Sequence, residues 1–282
     1  MDSIKIAVET AEKKSNILYL SKSQYMVRAI LAGIYVGFGT MVSFRIGEGF
    51  YDVHSPATSL MSSIFFGMAL ILIIYGGGEL FTGNTMIFTI STLKRITSVK
   101  ELLINWLSCY SGNLIGAMFF ASLIALSGLF GDPEKSQYLM DTASLKMHAP
   151  AIQLFFRAIL CNWLVCLAVW IPYHVKGDGA KIAVTMLLVF AFVASGFEHS
   201  VANMVLFSIG LLTAHPDSIT LYGAVHNLIP VTAGNIIGGG FFVGTVYVYL
   251  ASLGQPVKQF KKSNMVMGAP RTEKIQSRRS GI

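Results

Sequence analysis

The chain has 282 residues, of which 54% are hydrophobic and only 12% charged, and its mean hydropathy is +0.62. A soluble domain carries about 25% charged residues, so half that share excludes an ordinary soluble globule, along with disordered, collagen-like and disulfide-scaffold chains. The net charge of +7 calls for another partner than nucleic acid once the charges are located along an integral membrane chain.

A membrane-crossing helix needs about 20 mostly apolar residues. Residues 1–25, with Glu9, Glu12, Lys13 and Lys14, are too polar for the apolar core of a signal peptide. Ile4, Val8 and Ala11 recur at helical spacing, which fits an amphipathic interfacial helix; a partly ordered tail is the alternative. Six spans follow, over residues 26–44, 59–93, 103–130, 151–173, 182–213 and 227–252, and a basic tail occupies 253–282. The second and fifth spans are too long for one simple helix. Seventeen of the 21 Lys and Arg residues fall in the tails and in the loops after spans two and four. The positive-inside bias therefore places both termini in the cytoplasm and makes the basic balance topological.

The second and fifth spans are interrupted. Ser59 to Tyr75 meets Gly76-Gly77-Gly78-Glu79-Leu80-Phe81-Thr82-Gly83-Asn84 before an apolar run resumes, and Ile182 to Ala194 meets Ser195-Gly-Phe-Glu-His-Ser200. Consecutive glycines weaken a helix by about 1 kcal/mol each relative to alanine. Backbone freed in this way is tolerated at membrane depth only where it is buried or lines a cavity. Thr82 and Ser200 stand where half-helices would restart, so their hydroxyls are expected to cap the helix or meet an ion.

Three matches in the same order suggest an internal repeat. Arg28-Ala-Ile-Leu31 parallels Arg157-Ala-Ile-Leu160, Glu79 to Asn84 parallels Glu198 to Asn203, and the segment Asn105 to Ala117 parallels Asn227 to Gly239. Repeats over 26–130 and 151–252 hold three spans each, an odd number, so they would enter the membrane with opposite orientation. Inverted repeats with paired helix breaks mark transporters and channels, whose site lies near the midplane.

Ionisable groups at that depth are costly unless neutral or paired. Glu79 and Glu198 read as structural, accepting hydrogen bonds from freed backbone N–H groups, whereas His199 has no counterpart in the first repeat, where Leu80 stands, and reads as functional. Asn162 is either interhelical glue or pore lining. Arg157 snorkels or pairs. Lys146, on the outer loop, is either a solvated charge or a group that draws anions inward. Cys109, Cys161 and Cys166 lie in apolar stretches without metal-ligand spacing and read as packing residues, so no metal and no cofactor is expected. No nucleophile or metal constellation converges either, and the chain does not read as an enzyme.

The breaks and the repeat resemble the formate/nitrite transporter family. The resemblance is carried by Glu79-Leu-Phe-Thr-Gly-Asn84, Ser111-Gly-Asn-Leu-Ile-Gly-Ala117, Cys161-Asn-Trp-Leu-Val-Cys-Leu-Ala-Val-Trp170, Ser195-Gly-Phe-Glu-His-Ser-Val-Ala-Asn-Met204 and Asn227-Leu-Ile-Pro-Val-Thr-Ala-Gly-Asn235. It implies an all-α polytopic fold of six transmembrane helices in two inverted three-helix repeats, aquaporin-like, with helices 2 and 5 broken. It also implies a homopentamer in the bacterial inner membrane, with one pore per protomer and lipid around it.

By the same resemblance, Phe66 and Leu70 would form a cytoplasmic constriction and Leu80, Phe81 and Phe192 an outer one. Val165 would line the path, with Thr82, Asn162 and His199 in the chamber between and Lys146 and Glu198 at the outer vestibule. The substrate would be a small anion of a weak acid, nitrite by the details around residues 149–166 and 225–228, with formate or hydrosulfide as the alternatives. Protonation of the anion by His199 or by water linked to Lys146 would couple its passage to protons. In the competing version His199 only hydrogen-bonds the anion.

Overall fold

Helix follows helix along the chain in the computed structural model, which describes residues 3–132 and 135–253, and no strand occurs among them. The basic tail beyond Leu253 lies outside the described residues. Among the described residues, five helical stretches are long and apolar enough to cross a membrane: Lys22–Tyr51, Thr58–Gly76, Val99–Ser127, Ala151–Tyr173 and Leu221–Leu253. Leu107, Leu126 and Leu187 stand largely exposed on the outside, a distribution suited to lipid rather than water.

Helix α1 (Ser3–Leu20) comes first. Its helical spacing is as the sequence suggests, but its apolar face covers protein: Ile4, Ala7 and Ala11 are buried in one cluster with Met86, Phe88, Leu102 and Trp170. Ser21 caps the long α2 (Lys22–Tyr51) through its hydroxyl, which accepts the Gln24 N–H. At 1.5 Å per residue α2 is longer than the hydrocarbon layer is thick.

The second predicted span is broken twice. Helix α3 (Thr58–Ile64) passes into α4 (Met68–Gly76) through a tight turn, in which the Phe66, Met68 and Ala69 N–H groups each reach back three residues. The larger break follows at Gly77, whose φ of 72° is left-handed, a conformation glycine adopts without steric cost. The chain restarts as α5 (Phe81–Leu93).

A capping box of Ser98 and Glu101 opens α6 (Val99–Ser127). After α7 (Gln137–His148) and α8 (Ala151–Trp170), the fifth predicted span is divided into α9 (Asp178–Ala194) and α10 (Ser200–Leu212). The break between them again turns on a left-handed glycine, Gly196, at φ 68°. Helix α11 (Leu221–Ile237) continues through a π-helical stretch, Gly238–Thr245, into α12 (Val246–Leu253).

Two helix pairs make the frame, α2 against α6 and α8 against α11. Backbone touches backbone in each. A methyl group on Gly33 would strike the Asn113 carbonyl oxygen, and one on Gly234 would strike that of Phe155. Small residues at such crossings are how helices associate without a hydrophobic driving force.

Candidate functional site

Both helix breaks are stitched by the same set of hydrogen bonds. The Glu79 N–H donates to the Arg28 carbonyl at 3.0 Å, and the Glu198 N–H to the Arg157 carbonyl at 3.4 Å. The Phe81 N–H donates to Asn113 Oδ1, and the Ser200 N–H to Asn235 Oδ1, each at 2.9 Å. The amide of Asn113 donates back to the carbonyls of Ala29 and Glu79, and that of Asn235 to those of Ala158 and Glu198. These are the residues that the sequence matches pair off. Two buried asparagines thus satisfy backbone that α5 and α10 cannot satisfy themselves.

The glutamates have a different job from the one their position suggests. Glu79 Oε2 accepts from Lys14 Nζ at 2.7 Å and from the Asn84 amide at 3.2 Å. Glu198 accepts from Lys146 Nζ at 2.7 Å and from the Asn203 amide at 2.6 Å. The freed backbone N–H groups go to neutral acceptors, because a buried carboxylate is tolerable only beside a countercharge. Lys146 is therefore paired on α7 and not a freely solvated charge. Lys14 on α1 is its counterpart, and sequence reasoning missed it. The available signal was that a second buried Glu–Asn motif needs a second lysine upstream of its repeat, as Lys146 is upstream of Glu198.

Neither Thr82 nor Ser200 caps its half-helix. Leu80 occupies the cap position of α5, and His199 that of α10, where its Nδ1 accepts the Ala202 N–H at 3.1 Å. Thr82 lies in the first turn of α5, fully buried, with Oγ1 3.0 Å from His199 Nε2. With Nδ1 used as an acceptor, the ring proton belongs to Nε2, which donates toward Thr82. The Ser200 hydroxyl is buried without a partner in the protein.

Two cavities flank a narrow space that holds His199. One of about 510 Å³ opens beside α1 and is lined by Lys13, Lys14, Arg28, Gly78, Leu80 and Lys181 among others. The other, of about 200 Å³, opens beside α7 and includes Thr40, Ser43, Phe66, Lys146, Phe192 and His199. Between them only about 20 Å³ remains, walled by Phe66, Leu70, Leu80, Val165, Phe192 and His199. That is room for about one water.

Four of the five expected constriction residues, Phe66, Leu70, Leu80 and Phe192, wall the narrow space. Phe66 meets Phe192 edge to face, with ring centroids 6.0 Å apart, and both line the Lys146 side. Leu70 and Leu80 line the Lys14 side. Phe81 lines none of the three cavities; its ring packs edge to face on Tyr110, 5.0 Å away, and on Trp106. The Asn162 amide bridges helices, donating to the carbonyls of Thr82 and Asn235 and to Thr85 Oγ1, and Asn162 lines none of the three cavities. These bonds hold α8 to α5 and α11. Arg157, at the start of α8, reaches the Gln153 side chain at 3.4 Å.

The chain is similar to the uncharacterized transporter YwcJ of Bacillus subtilis strain 168, with 50% identity over 85% of this chain and 94% of that one. It is 39% identical to the nitrite transporter NirC of Escherichia coli strain K12, over 80% of this chain and 82% of the relative. Among solved structures, an FNT family ion channel superposes with a TM-score of 0.84 at 36% identity, covering 88% of this chain and 98% of that one. A pentameric formate channel with formate bound superposes with a TM-score of 0.71 at 32% identity, covering 82% and 97%. The profile described as formate/nitrite transporter matches residues 1–249. With cavities on either side of the narrow space that holds His199 and helix breaks stitched alike in both halves, the chain belongs to the formate/nitrite transporter family, and is a multi-pass membrane transporter and not an enzyme.

Proposed function

We propose that the chain conducts small monovalent anions of weak acids, nitrite before formate or hydrosulfide, along the line from Lys14 past His199 to Lys146. The observation that carries this reading is a pair of cation-lined cavities separated by a narrow apolar space that holds one histidine. Each lysine is half-buried and paired with a buried carboxylate, so it draws an anion to the mouth without holding it there. The preference for nitrite rests on the 39% identity to NirC and on the motifs around Cys161 and His226. The formate-bound neighbour supports formate as the second reading.

Crossing the apolar constriction sets the mechanism. A bare anion moved from water into such surroundings loses tens of kcal/mol of hydration, and a neutral acid only a few. The substrate therefore passes as the neutral acid, or with its proton beside it. The proton comes from water in the Lys-lined cavities. A second proton on His199 would sit at Nδ1, where it would face the Ala202 N–H and the positive end of α10. His199 acts as a neutral donor through Nε2, a role it exchanges between Thr82 and the passing substrate.

In the membrane, α3 to α5 together make one crossing and α9 with α10 another, giving six crossings in two inverted halves. Both termini lie in the cytoplasm, and the Lys146 cavity faces outward across the bacterial inner membrane. The protomers assemble as a homopentamer, as in the formate channel neighbour, each with its own pore.

Flux in proteoliposomes tests this. Nitrite should enter faster than formate and hydrosulfide, and uptake should rise as the pH falls from about 8 to about 5. His199→Phe should lower the flux of every anion at all pH values without removing the oligomer. A pH-independent flux removes the protonation step; formate ahead of nitrite removes the substrate assignment.

A further inference from the structure

The two cavities are built from different chemistry. The α1 side is lined by Lys13, Lys14, Arg28 and Lys181, and none of the partnerless buried polar groups among the described residues lies on it. The Lys146 side carries two. Thr40 and Ser43, one turn apart on α2, are 2% and 6% exposed. Both line the 200 Å³ cavity, and neither hydroxyl has a hydrogen-bond partner in the protein. The neighbouring hydroxyls are engaged: Ser63 donates to the Ser59 carbonyl at 2.6 Å, and Ser62 bonds both that carbonyl and the Tyr138 hydroxyl. Many helical serines and threonines satisfy themselves on the carbonyl four residues back, as Thr89 does on Thr85. Thr40 and Ser43 do not, although both lie within the same unbroken helix.

A buried hydroxyl left unpaired is costly and is retained where something outside the fold pairs with it. Lys146 shares this cavity, and with Glu198 on only one of its three donors its ammonium has capacity left. Resting on the channel reading above, we propose that Thr40 and Ser43, with Lys146, form a staging site that binds an oxyanion with two acceptor oxygens before it meets Phe66 and Phe192. The hydroxyls replace part of the water such an anion loses at the constriction. Hydrosulfide presents a single large sulfur, which fits two hydroxyls less well than the paired oxygens of an oxyanion do. The site therefore favours nitrite and formate as a class over hydrosulfide. It leaves the choice between nitrite and formate to the path beyond.

The test is the flux of nitrite, formate and hydrosulfide in proteoliposomes, with the leak of protein-free vesicles subtracted. Four proteins are compared: wild type, Thr40→Val/Ser43→Ala, Thr40→Ser and Ser43→Thr. The double variant should lose about three- to tenfold in nitrite and formate flux, the worth of one to two hydrogen bonds, while hydrosulfide stays within about twofold. The two variants that keep a hydroxyl should match wild type. Equal losses for all three anions would mean a structural effect, and unchanged fluxes would mean idle hydroxyls; either result overturns the site. A wild type that moves none of the three overturns the channel reading itself, a failure separate from that of the variants.

Discussion

At the scale of single residues, the site is a balance of buried charge. Glu198 is 1% exposed and Glu79 3%, and each is matched by a lysine at 2.7 Å. Breaking such a pair on one side costs about 3–5 kcal/mol, because it strands an ion away from water. Lys146→Met should therefore unfold at markedly lower temperature than wild type in detergent. Lys146→Met/Glu198→Gln should recover most of the loss, since the stranded charge is gone. Lys14→Met should behave like Lys146→Met if α1 is as integral to the fold as its contacts imply; thermal unfolding of the four proteins measures this. The residues that matter here were unequally legible. Glu79, Glu198 and His199 announce themselves as ionisable groups in apolar spans. Lys14 does not, because it stands among other charges in a polar segment and only folding brings it to Glu79, 65 positions away. Phe81 and Asn162 were legible as motif members, but their direction was not. One side chain turns toward Tyr110 and the other toward backbone carbonyls, a choice made by packing and not by sequence position.

At the scale of elements, glycine decides where helices may touch. Gly33 and Gly49 lie on the same helix α2. A methyl group on the first meets the Asn113 carbonyl and, at 2.9 Å, the Ala117 nitrogen; on the second it meets nothing within 4 Å. Gly33→Ala should therefore destabilise the protein by about 1–3 kcal/mol through overpacking. Gly49→Ala should stabilise it by up to about 1 kcal/mol, since alanine is the better helix former and the space is open. Thermal or denaturant unfolding distinguishes the two, and equal shifts would show that α2 and α6 do not meet as described. The glycine runs also show how far a sequence reading of elements reaches. The breaks at Gly77 and Gly196 follow from left-handed residues beside polar motifs, and both were visible. The tight turn at Phe66 and the π-helical stretch at Gly238–Thr245 were not. Nothing local demands them. The second lets Gly239 come so close to Thr85 that a side chain there would collide with its hydroxyl, a tertiary requirement.

At the scale of the whole molecule, the exposed apolar surface has to be divided between lipid and neighbouring protomers. Leu221, Tyr222 and Ile229 stand out along one side of α11 at 67–83% exposure, and a groove of about 500 Å³ runs there between α6 and α11, lined by Tyr110, Leu228 and Thr232. Purified protein should have the mass of five chains when measured by native mass spectrometry in detergent. A monomer would remove the proposed assembly while leaving the pore of each protomer in place. Composition alone set the membrane class, since a chain with 12% charged residues cannot clothe a globule in water. The order of apolar runs, the paired interruptions and the matching motifs set the helical plan, because lipid forces every backbone group to be satisfied locally. The sequence left open which groups satisfy which. Lysines from α1 and α7 neutralise the glutamates, asparagines of α6 and α11 hold the breaks, and Phe66 packs edge to face on Phe192. Those pairings join residues up to 126 positions apart in the sequence. Their geometry is set when the helices pack, because burial of charge and of unpaired backbone is decided in three dimensions.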